Sequence, residues 1–214
     1  MKKTILLLST LFTSNLFAQY NATISTITPD IKKRMVKGNS WQKECPVPLR
    51  NLRYLQMSYI DFNGQPQTGE MIVHKDVADV TVATFEDLYK VGYAIHKMHL
   101  ISYYKGNDWK SIENDNTSAF NCRPVSGKKG VWSKHAYGKA IDINPIANPY
   151  VYKSGHISHK ASYKYKRRRH QNINNLADRA LLMPHDPATK IFKHYGWGWG
   201  GEWVTKDYQH FFKK

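Results

Sequence analysis

Two short motifs in the C-terminal half of the chain combine imidazole and carboxylate side chains. His135 and Asp142 lie within residues 133–142, and Asp207 and His210 lie three residues apart near the C-terminus. Two histidines and one aspartate form a three-ligand set for zinc that leaves one position open for water, which is typical of a catalytic site. Asp207 remains as a carboxylate close enough to act on that water. The motifs therefore predict zinc-dependent hydrolysis.

Each residue type suits a different part of such a reaction. Zinc bound by His135, Asp142 and His210 would lower the pKa of a bound water to about 7. Asp207 would accept a proton from that water and pass it to the departing amine. Arg123 is the candidate for stabilising the negative charge on the attacked carbonyl oxygen, because a guanidinium stays charged and donates several hydrogen bonds.

Residues beside the two motifs are candidates for substrate binding. Ser133 begins the first motif and is predicted to position the substrate or a metal ligand. Trp197, Trp199 and Tyr208 are predicted to wall the cleft. For the two tryptophans, packing in the core is an equally good interpretation, because large aromatic side chains dominate protein cores.

A β-hairpin is predicted in the first half of the chain. An aromatic-rich stretch at residues 52–62 is followed by a turn signal at residues 61–65 and a second apolar stretch at residues 69–74.

In the first motif, Gly138 would allow a bend that lets His135 and Asp142 point at one ion.

Two helices are predicted from spacing and capping signals. Apolar residues recur three and four positions apart over residues 80–99, and Thr84 is a candidate capping residue with Asp87 three positions later. A second helix is predicted from the proline directly after Asp186, with the aspartate as N-cap, the proline at the first helical position and the helix continuing over residues 188–195.

The chain is strongly basic, with 32 Lys and Arg against 16 Asp and Glu and a formal net charge of +16. This balance favours polyanionic partners. We expect no nucleic-acid binding, because no nucleic-acid motif is recognisable and export is predicted. Residues 153–170 are interpreted as an exposed loop with solvated charges, which is compatible with attraction to an acidic polymer. His156 and His159 are interpreted as part of that loop.

The N-terminus has the pattern of a secretory signal. Lys2 and Lys3 precede an apolar stretch that ends at Ala18, where cleavage is predicted. A membrane anchor is the alternative, but the stretch is shorter than the roughly 20 residues that a span requires. We therefore predict a signal peptide at residues 1–18 and no stable membrane span after its removal.

The rest of the chain is predicted to form one domain with a short N-terminal extension. Residues 19–44 are polar and are interpreted as an arm, with a short helix around residues 31–36. The domain is predicted to occupy residues 45–214. Cys45 and Cys122 are the two cysteines, and in an oxidising compartment they form either a disulfide or two buried thiols.

Residues 133–142 fit the pattern Ser-x-His-x-x-Gly-x-Ala-x-Asp. In this they resemble the zinc D-alanyl-D-alanine carboxypeptidase family, which includes the L-alanyl-D-glutamate endopeptidases of phage endolysins. The Asp-x-x-His of residues 207–210 is similar to the partner motif, and aspartate at its first position resembles the endopeptidase branch. Residues 120–124 and 196–201 also resemble family segments. The resemblance extends over about residues 45–211.

The resemblance implies an α+β domain of the hedgehog/D,D-peptidase type, in which a small antiparallel sheet carries zinc and helices pack on one side. It also implies His135, Asp142 and His210 as ligands, Asp207 as the base and Arg123 as the transition-state stabiliser. The implied substrate is the peptide stem of peptidoglycan.

Three functions remain open at this point. The first is an endopeptidase that cuts within the stem, at L-Ala–D-Glu or a neighbouring bond. The second is a D,D-carboxypeptidase that removes the terminal D-Ala, and the third is a non-catalytic module that binds the cell wall. The apparent signal predicts an exported, resident enzyme of the periplasm or cell envelope, and a monomer is favoured.

Overall fold

In the computed structural model, which describes residues 19–125, 127–128 and 130–214, small antiparallel sheets are combined with short helices in an α+β fold. The predicted signal peptide lies outside the described residues. None of the helices in the described part of the chain has the length and apolar character to cross a membrane. In chain order the elements are β1 (Ala22–Thr26), α1 (Pro29–Lys37), β2 (Leu52–Ile60), β3 (Pro66–His74), α2 (Ala78–Lys90), α3 (Asp108–Glu113), β4 (Ala140–Asp142), β5 (Tyr150–Val151), α4 (Leu176–Arg179), α5 (Pro187–His194), β6 (Gly198–Trp199), β7 (Lys206–Asp207) and β8 (His210–Phe212).

The predicted hairpin is confirmed as β2 and β3. The two strands pair antiparallel from Leu52 opposite His74 to Ile60 opposite Pro66. In the turn, Asp61 Oδ1 accepts backbone hydrogen bonds from residues 63 and 65 at 2.8 and 2.9 Å. An aspartate that bonds its own following backbone in this way is a common turn-former, so the turn signal was informative.

Residues 19–44 are part of the packed fold and not an arm. β1 pairs with β2 along its whole length, so the sheet order is β1-β2-β3. The predicted short helix is present as α1, which buries Ile31 and Met35. The fold therefore begins at β1 and not near Cys45, because β1 satisfies backbone groups at the edge of the sheet that a polar arm would leave unpaired.

The helix predicted over residues 80–99 ends earlier than expected, and this is a correction. α2 ends at Lys90, and Gly92 with φ +67° provides the left-handed residue that often follows a helix. Its N-cap is Val77, which makes no side-chain cap. Thr84, the predicted cap, lies inside the helix, where its hydroxyl donates to the Val80 carbonyl at 2.6 Å. In contrast, α5 is confirmed, and Asp186 accepts from its third residue.

The main core lies between the large sheet, α2 and α5, and it includes Leu55, Phe85 and Phe192. A smaller core on the other face of the sheet contains Ile31 and Phe120. Cys45 and Cys122 form a disulfide beside this second core. The disulfide connects the N-terminal part of the chain to the segment that precedes the first motif.

Two smaller sheets bring the motifs together. The order β4-β8-β6 places Asp142 directly opposite His210 and Trp199 opposite Phe211. β5 pairs with β7, which places Tyr150 opposite Asp207. The strands are only two or three residues long, so contacts from outside these sheets are needed to hold them in place.

Candidate metal centre and its cleft

The three predicted ligands converge at one point. His135 Nε2 lies 3.2 Å from His210 Nδ1, and both nitrogens approach the carboxylate of Asp142 at 3.2 and 3.0 Å. The donor atoms all lie within 4.8 Å of one another. This is the arrangement of a cluster that can hold a metal ion.

Strand register and a tight turn produce this convergence. Asp142 and His210 are directly opposed on β4 and β8, and opposed residues of an antiparallel pair project from the same face. His135 lies in a short helical turn, where Ser133 Oγ accepts from the His135 backbone N–H at 3.3 Å. Gly138 closes the turn with φ +67°, so the chain reverses between His135 and Asp142 as predicted.

The His135 ring is oriented from outside the cluster. Its Nδ1 lies 2.6 Å from the Ala119 carbonyl oxygen. Because a carbonyl only accepts, Nδ1 carries a proton, and in the neutral ring the Nε2 lone pair is available to a metal ion. A ligand histidine held through its other nitrogen is the usual arrangement at metal sites.

The charges within the cluster shift the pKa values of His135 and Asp142. Burial on its own would lower the pKa of His135, but the adjacent Asp142 carboxylate outweighs burial and raises it. Burial likewise opposes ionisation of Asp142, yet its contacts with His135 and His210 lower its pKa well below the usual range. Asp142 is therefore ionised, which is the form that binds a cation.

The donor set fits zinc. A tetrahedral zinc with bonds of about 2.0 Å has its ligand atoms about 3.3 Å apart. The His135 and His210 nitrogens are 3.2 Å apart, and each lies near a different oxygen of Asp142, His135 Nε2 at 3.2 Å from Oδ2 and His210 Nδ1 at 3.0 Å from Oδ1. Imidazole nitrogens together with a carboxylate suit this metal. The positions of the residues thus need little change to accept the ion.

Asp207 lies beside the cluster on β7. Burial and the negative charge of Asp142 raise the pKa of Asp207 to about 6. Its Oδ1 is buried and has no hydrogen-bond partner among the described residues. Gly200 makes this placement possible, since a Cβ at that position would lie 2.6 Å from the Asp207 carbonyl oxygen and 3.3 Å from the His210 Cβ.

Arg123 faces the same cleft and is held by Asp108. The Arg123 guanidinium forms an ion pair with one Asp108 oxygen, and the other oxygen accepts from Asn121 Nδ2 at 2.6 Å. Burial lowers the pKa of Arg123, whereas the charges of Asp142 and Asp207 oppose this. The role of Asp108 is not predictable from the sequence, because only the folded chain brings its carboxylate next to the Arg123 guanidinium.

A cleft of about 640 Å³ contains all of these groups. Its lining includes His135, Asp142, His210, Asp207, Arg123 and Ser133. The volume lies within the roughly 300–1,000 Å³ of typical ligand sites. The structure therefore places the predicted ligands, base, stabiliser and serine in one cavity.

Three predicted substrate-binding residues lie elsewhere, and this is a correction. Trp197 is buried in the main core and donates to Thr84 Oγ1 at 3.2 Å. Trp199 is also buried and donates to the Tyr208 carbonyl at 2.8 Å. The Tyr208 ring is covered by the guanidinium of Arg168 at 4.3 Å. The core interpretation is the correct one for both tryptophans.

Other aromatic residues line the cleft in their place. Trp203 lies with its ring centroid 5.3 Å from that of His210, and Tyr150 is opposite Asp207. Tyr152 and Trp109 complete the aromatic lining. The signal that distinguishes Trp203 from the other two tryptophans is its position after the glycines, where the chain turns outward and 37% of the residue stays exposed.

Residues 126–213 match the family model described as D-alanyl-D-alanine carboxypeptidase. Over this part, which is less than half of its length, the chain is similar to that peptidase family. The matched region contains the three donor residues and Asp207, and Arg123 immediately precedes it. No curated protein and no solved structure matches the chain. The family match and the cluster together support a metallopeptidase of peptidoglycan.

Proposed function

We propose that the protein is an exported zinc endopeptidase that cuts an amide bond within the peptide stem of peptidoglycan, at L-Ala–D-Glu or a neighbouring bond. The observation that carries the proposal is the position of Asp207 beside the His135, Asp142 and His210 cluster, inside a cleft. Aspartate at position 207, where many carboxypeptidase members of the family have glutamate, resembles the endopeptidase branch and favours an internal cut over removal of a terminal residue.

In this proposal His135, Asp142 and His210 hold zinc, and the ion supplies a Lewis acid that acidifies water and polarises the carbonyl. Asp207 takes a proton from the attacking water and delivers it to the leaving nitrogen. Its Oδ1 is buried and has no hydrogen-bond partner among the described residues, so it is available to take that proton.

Arg123 donates hydrogen bonds to the carbonyl oxygen as negative charge develops there. Asp108 is a positioning residue that keeps the guanidinium aimed into the cleft. Ser133 supports the turn of His135 and faces the substrate. The aromatic lining contributed by Trp203 and Tyr150 excludes water from the reacting bond.

A D,D-carboxypeptidase is the second candidate, and the description of the matching family favours it. Both candidates use the same residues in the same roles. They differ in whether the substrate continues beyond the cut bond on both sides. The products of digestion therefore distinguish them.

The test is mass spectrometry of peptidoglycan stems after incubation with zinc-loaded protein lacking residues 1–18. An internal cut supports the proposal, whereas release of terminal D-Ala supports the second candidate. A chelator should abolish either product. If zinc is bound and no chelator-sensitive product appears, the enzymatic proposal is wrong and a non-catalytic cell-wall module is favoured.

Variants assign the roles within the site. Asp207→Asn should retain zinc and lose about 10²- to 10⁴-fold in kcat, the range of general acid–base catalysis. His210→Ala should lose both zinc and activity. Asp79→Asn is the matched control, because Asp79 is an exposed aspartate at the start of α2. Full activity of Asp207→Asn would show that another group is the base.

We also propose that residues 1–18 direct export and are removed, leaving residues 19–214 as a monomer in the periplasm or cell envelope. The basic net charge and the disulfide support an envelope location. N-terminal sequencing and gel filtration of the protein from the envelope fraction test these points.

A further inference from the structure

The segment of residues 150–169, named here the basic segment, carries only positively charged side chains. It contains seven Lys and Arg residues and no Asp or Glu, and no acidic residue occurs anywhere in residues 143–177. A cationic stretch of this length repels itself, which is unfavourable unless counter-charge comes from elsewhere.

One of its seven cations has a structural role. Arg168 donates to the Ala147 carbonyl at 2.6 Å, to Asn148 Oδ1 at 2.7 Å and to the Leu182 carbonyl at 2.8 Å. Its guanidinium also covers the Tyr208 ring. These contacts fix the end of the basic segment to the body of the protein, so its other charges are displayed on an anchored surface.

The remaining six cations are exposed and form no ion pair among the described residues, although Lys164 lies over the Tyr165 ring at 4.8 Å. These residues are Lys153, Lys160, Lys164, Lys166, Arg167 and Arg169. Other cations of this protein do form ion pairs, such as Arg34 with Glu70 at 2.6 Å and Lys90 with Glu86 at 2.9 Å. Among the described carboxylates, none forms an ion pair with any of the six.

The basic segment is continuous with the cleft. Its residues Tyr150, Tyr152 and His159 line the cleft together with the metal cluster. Exposed cations directly follow two of these positions, Lys153 after Tyr152 and Lys160 after His159. The His159 ring lies against that of Trp109 with centroids 3.9 Å apart, which ties the segment to α3 across the cleft. A polymer leaving the cleft on this side meets positive charge.

We propose that the basic segment is a docking surface for intact peptidoglycan, and that it binds the carboxylates of stems adjacent to the one being cut. The inference rests on the proposed function for the choice of polymer. Charge complementarity and continuity with the cleft select this occupant, because a repeating carboxylate polymer can contact several of the six cations while one stem occupies the site.

The test compares two variants with the same change in charge. The docking variant carries Lys153→Gln, Lys160→Gln, Lys166→Gln and Arg167→Gln, and so includes the two cations next to the cleft. The matched control carries Lys32→Gln, Lys33→Gln, Lys37→Gln and Lys43→Gln, four exposed cations of the N-terminal region that line no part of the cleft. Thermal melts verify that both remain folded, and a double Lys153→Gln, Lys160→Gln variant replaces the docking variant if four changes unfold it, with Lys32→Gln, Lys33→Gln as its control.

Co-sedimentation of chelated protein with insoluble peptidoglycan measures docking without cleavage. We expect the docking variant to bind at least about tenfold more weakly and the control to bind as the wild type does. Wild-type binding should weaken as salt rises through about 0.15 M, where screening is effective beyond about 8 Å. With zinc bound, the docking variant should lose at least tenfold more activity on intact peptidoglycan than on isolated stems.

Three outcomes would overturn the inference. Equal loss in both variants would assign the effect to net charge, and unchanged binding of the docking variant would exclude the surface. Competition by polyphosphate or DNA, but not by soluble peptidoglycan fragments, would assign a phosphate polymer instead. The proposed function fails separately, because absence of product from isolated stems leaves the binding comparison intact.

Discussion

The large sheet (β1-β2-β3) and the C-terminal sheet (β4-β8-β6) differ in strand length and in what holds them together. β2 and β3 are nine residues each and pair in an unbroken antiparallel register. β4 and β8 are three residues each, yet they carry two of the three metal-binding candidates. A long ladder of backbone hydrogen bonds supports the first sheet, whereas the second depends on contacts made by neighbouring segments.

Those contacts are specific. β4 gains a second neighbour because Asp142 exchanges two backbone hydrogen bonds with Ser118, at 2.8 and 3.0 Å. The large sheet connects directly to the first motif, since the His74 N–H donates to the Gly138 carbonyl at 2.8 Å. A Cβ at residue 138 would lie 2.6 Å from the His74 nitrogen, so only glycine allows this approach. The large sheet thus positions the site without contributing a reacting group.

The comparison predicts that changes in the cleft lower activity and leave stability nearly intact. Arg123→Ala should reduce kcat by about 10²- to 10³-fold, as expected for loss of one donor to the developing oxyanion. Asp108→Asn should cause a smaller loss, because the guanidinium stays but loses its ion pair. Steady-state kinetics on isolated stems measures both. Equal activity of Arg123→Ala and wild type would remove Arg123 from the mechanism.

Changes in the large sheet should have the opposite effect. Leu55 is fully buried in the main core, and Leu55→Ala should lower the free energy of unfolding by about 2–5 kcal/mol through lost burial and a cavity. The kcat of the folded fraction should stay close to that of the wild type. Denaturant unfolding and kinetics at low temperature measure the two quantities, and a large loss of kcat would show that the regions are more tightly coupled than proposed.

The disulfide joins the N-terminal part of the chain to the segment that precedes the first motif, and we expect its removal to affect stability more than activity. Cys45 and Cys122 are 77 residues apart in sequence, and removing a crosslink of such a long loop typically costs about 2–4 kcal/mol. A Cys45→Ser, Cys122→Ser variant should melt at a lower temperature and keep its zinc site, because the ligands lie outside the closed loop. Loss of zinc binding in the folded variant would contradict this separation.

The smallest effect concerns the pH dependence of the metal-free protein. Burial and Asp142 raise the pKa of Asp207 to about 6, above the value of 3.8 for an ordinary aspartate. The folded state therefore binds this proton more tightly than the unfolded state, and the stability that the protonated form contributes is lost as the pH rises through about 6.

Asn at position 207 carries no charge at any pH. Metal-free Asp207→Asn should therefore gain stability relative to the wild type as the pH rises from about 4 to about 8. Thermal melts of both chelated proteins across this range measure the difference. A constant difference would mean that the Asp207 carboxylate is better solvated than its surroundings indicate.

The parts of the fold that follow local rules were predictable. The hairpin was recognisable because a turn signal separates two apolar stretches, and α5 because Asp186 and the following proline form a standard start. The length of α2 was not predictable, because apolar residues continue past Gly92 into an irregular segment that is buried without being helical. The strand β1 was missed because four of its five residues are exposed and show no apolar alternation.

By itself the sequence determined the set of chemical groups and their order: two histidines, two aspartates and an arginine in motifs typical of one peptidase family. Only the tertiary structure decided which aromatic residues face the cleft, that Asp108 holds Arg123, and that the basic segment continues from the same cavity. The physical reason is the separation along the sequence of the residues that interact. Motifs record constraints between residues close along the chain, whereas burial depends on segments far apart in sequence that meet only when the core forms, as Trp197 and Thr84 do across 113 residues.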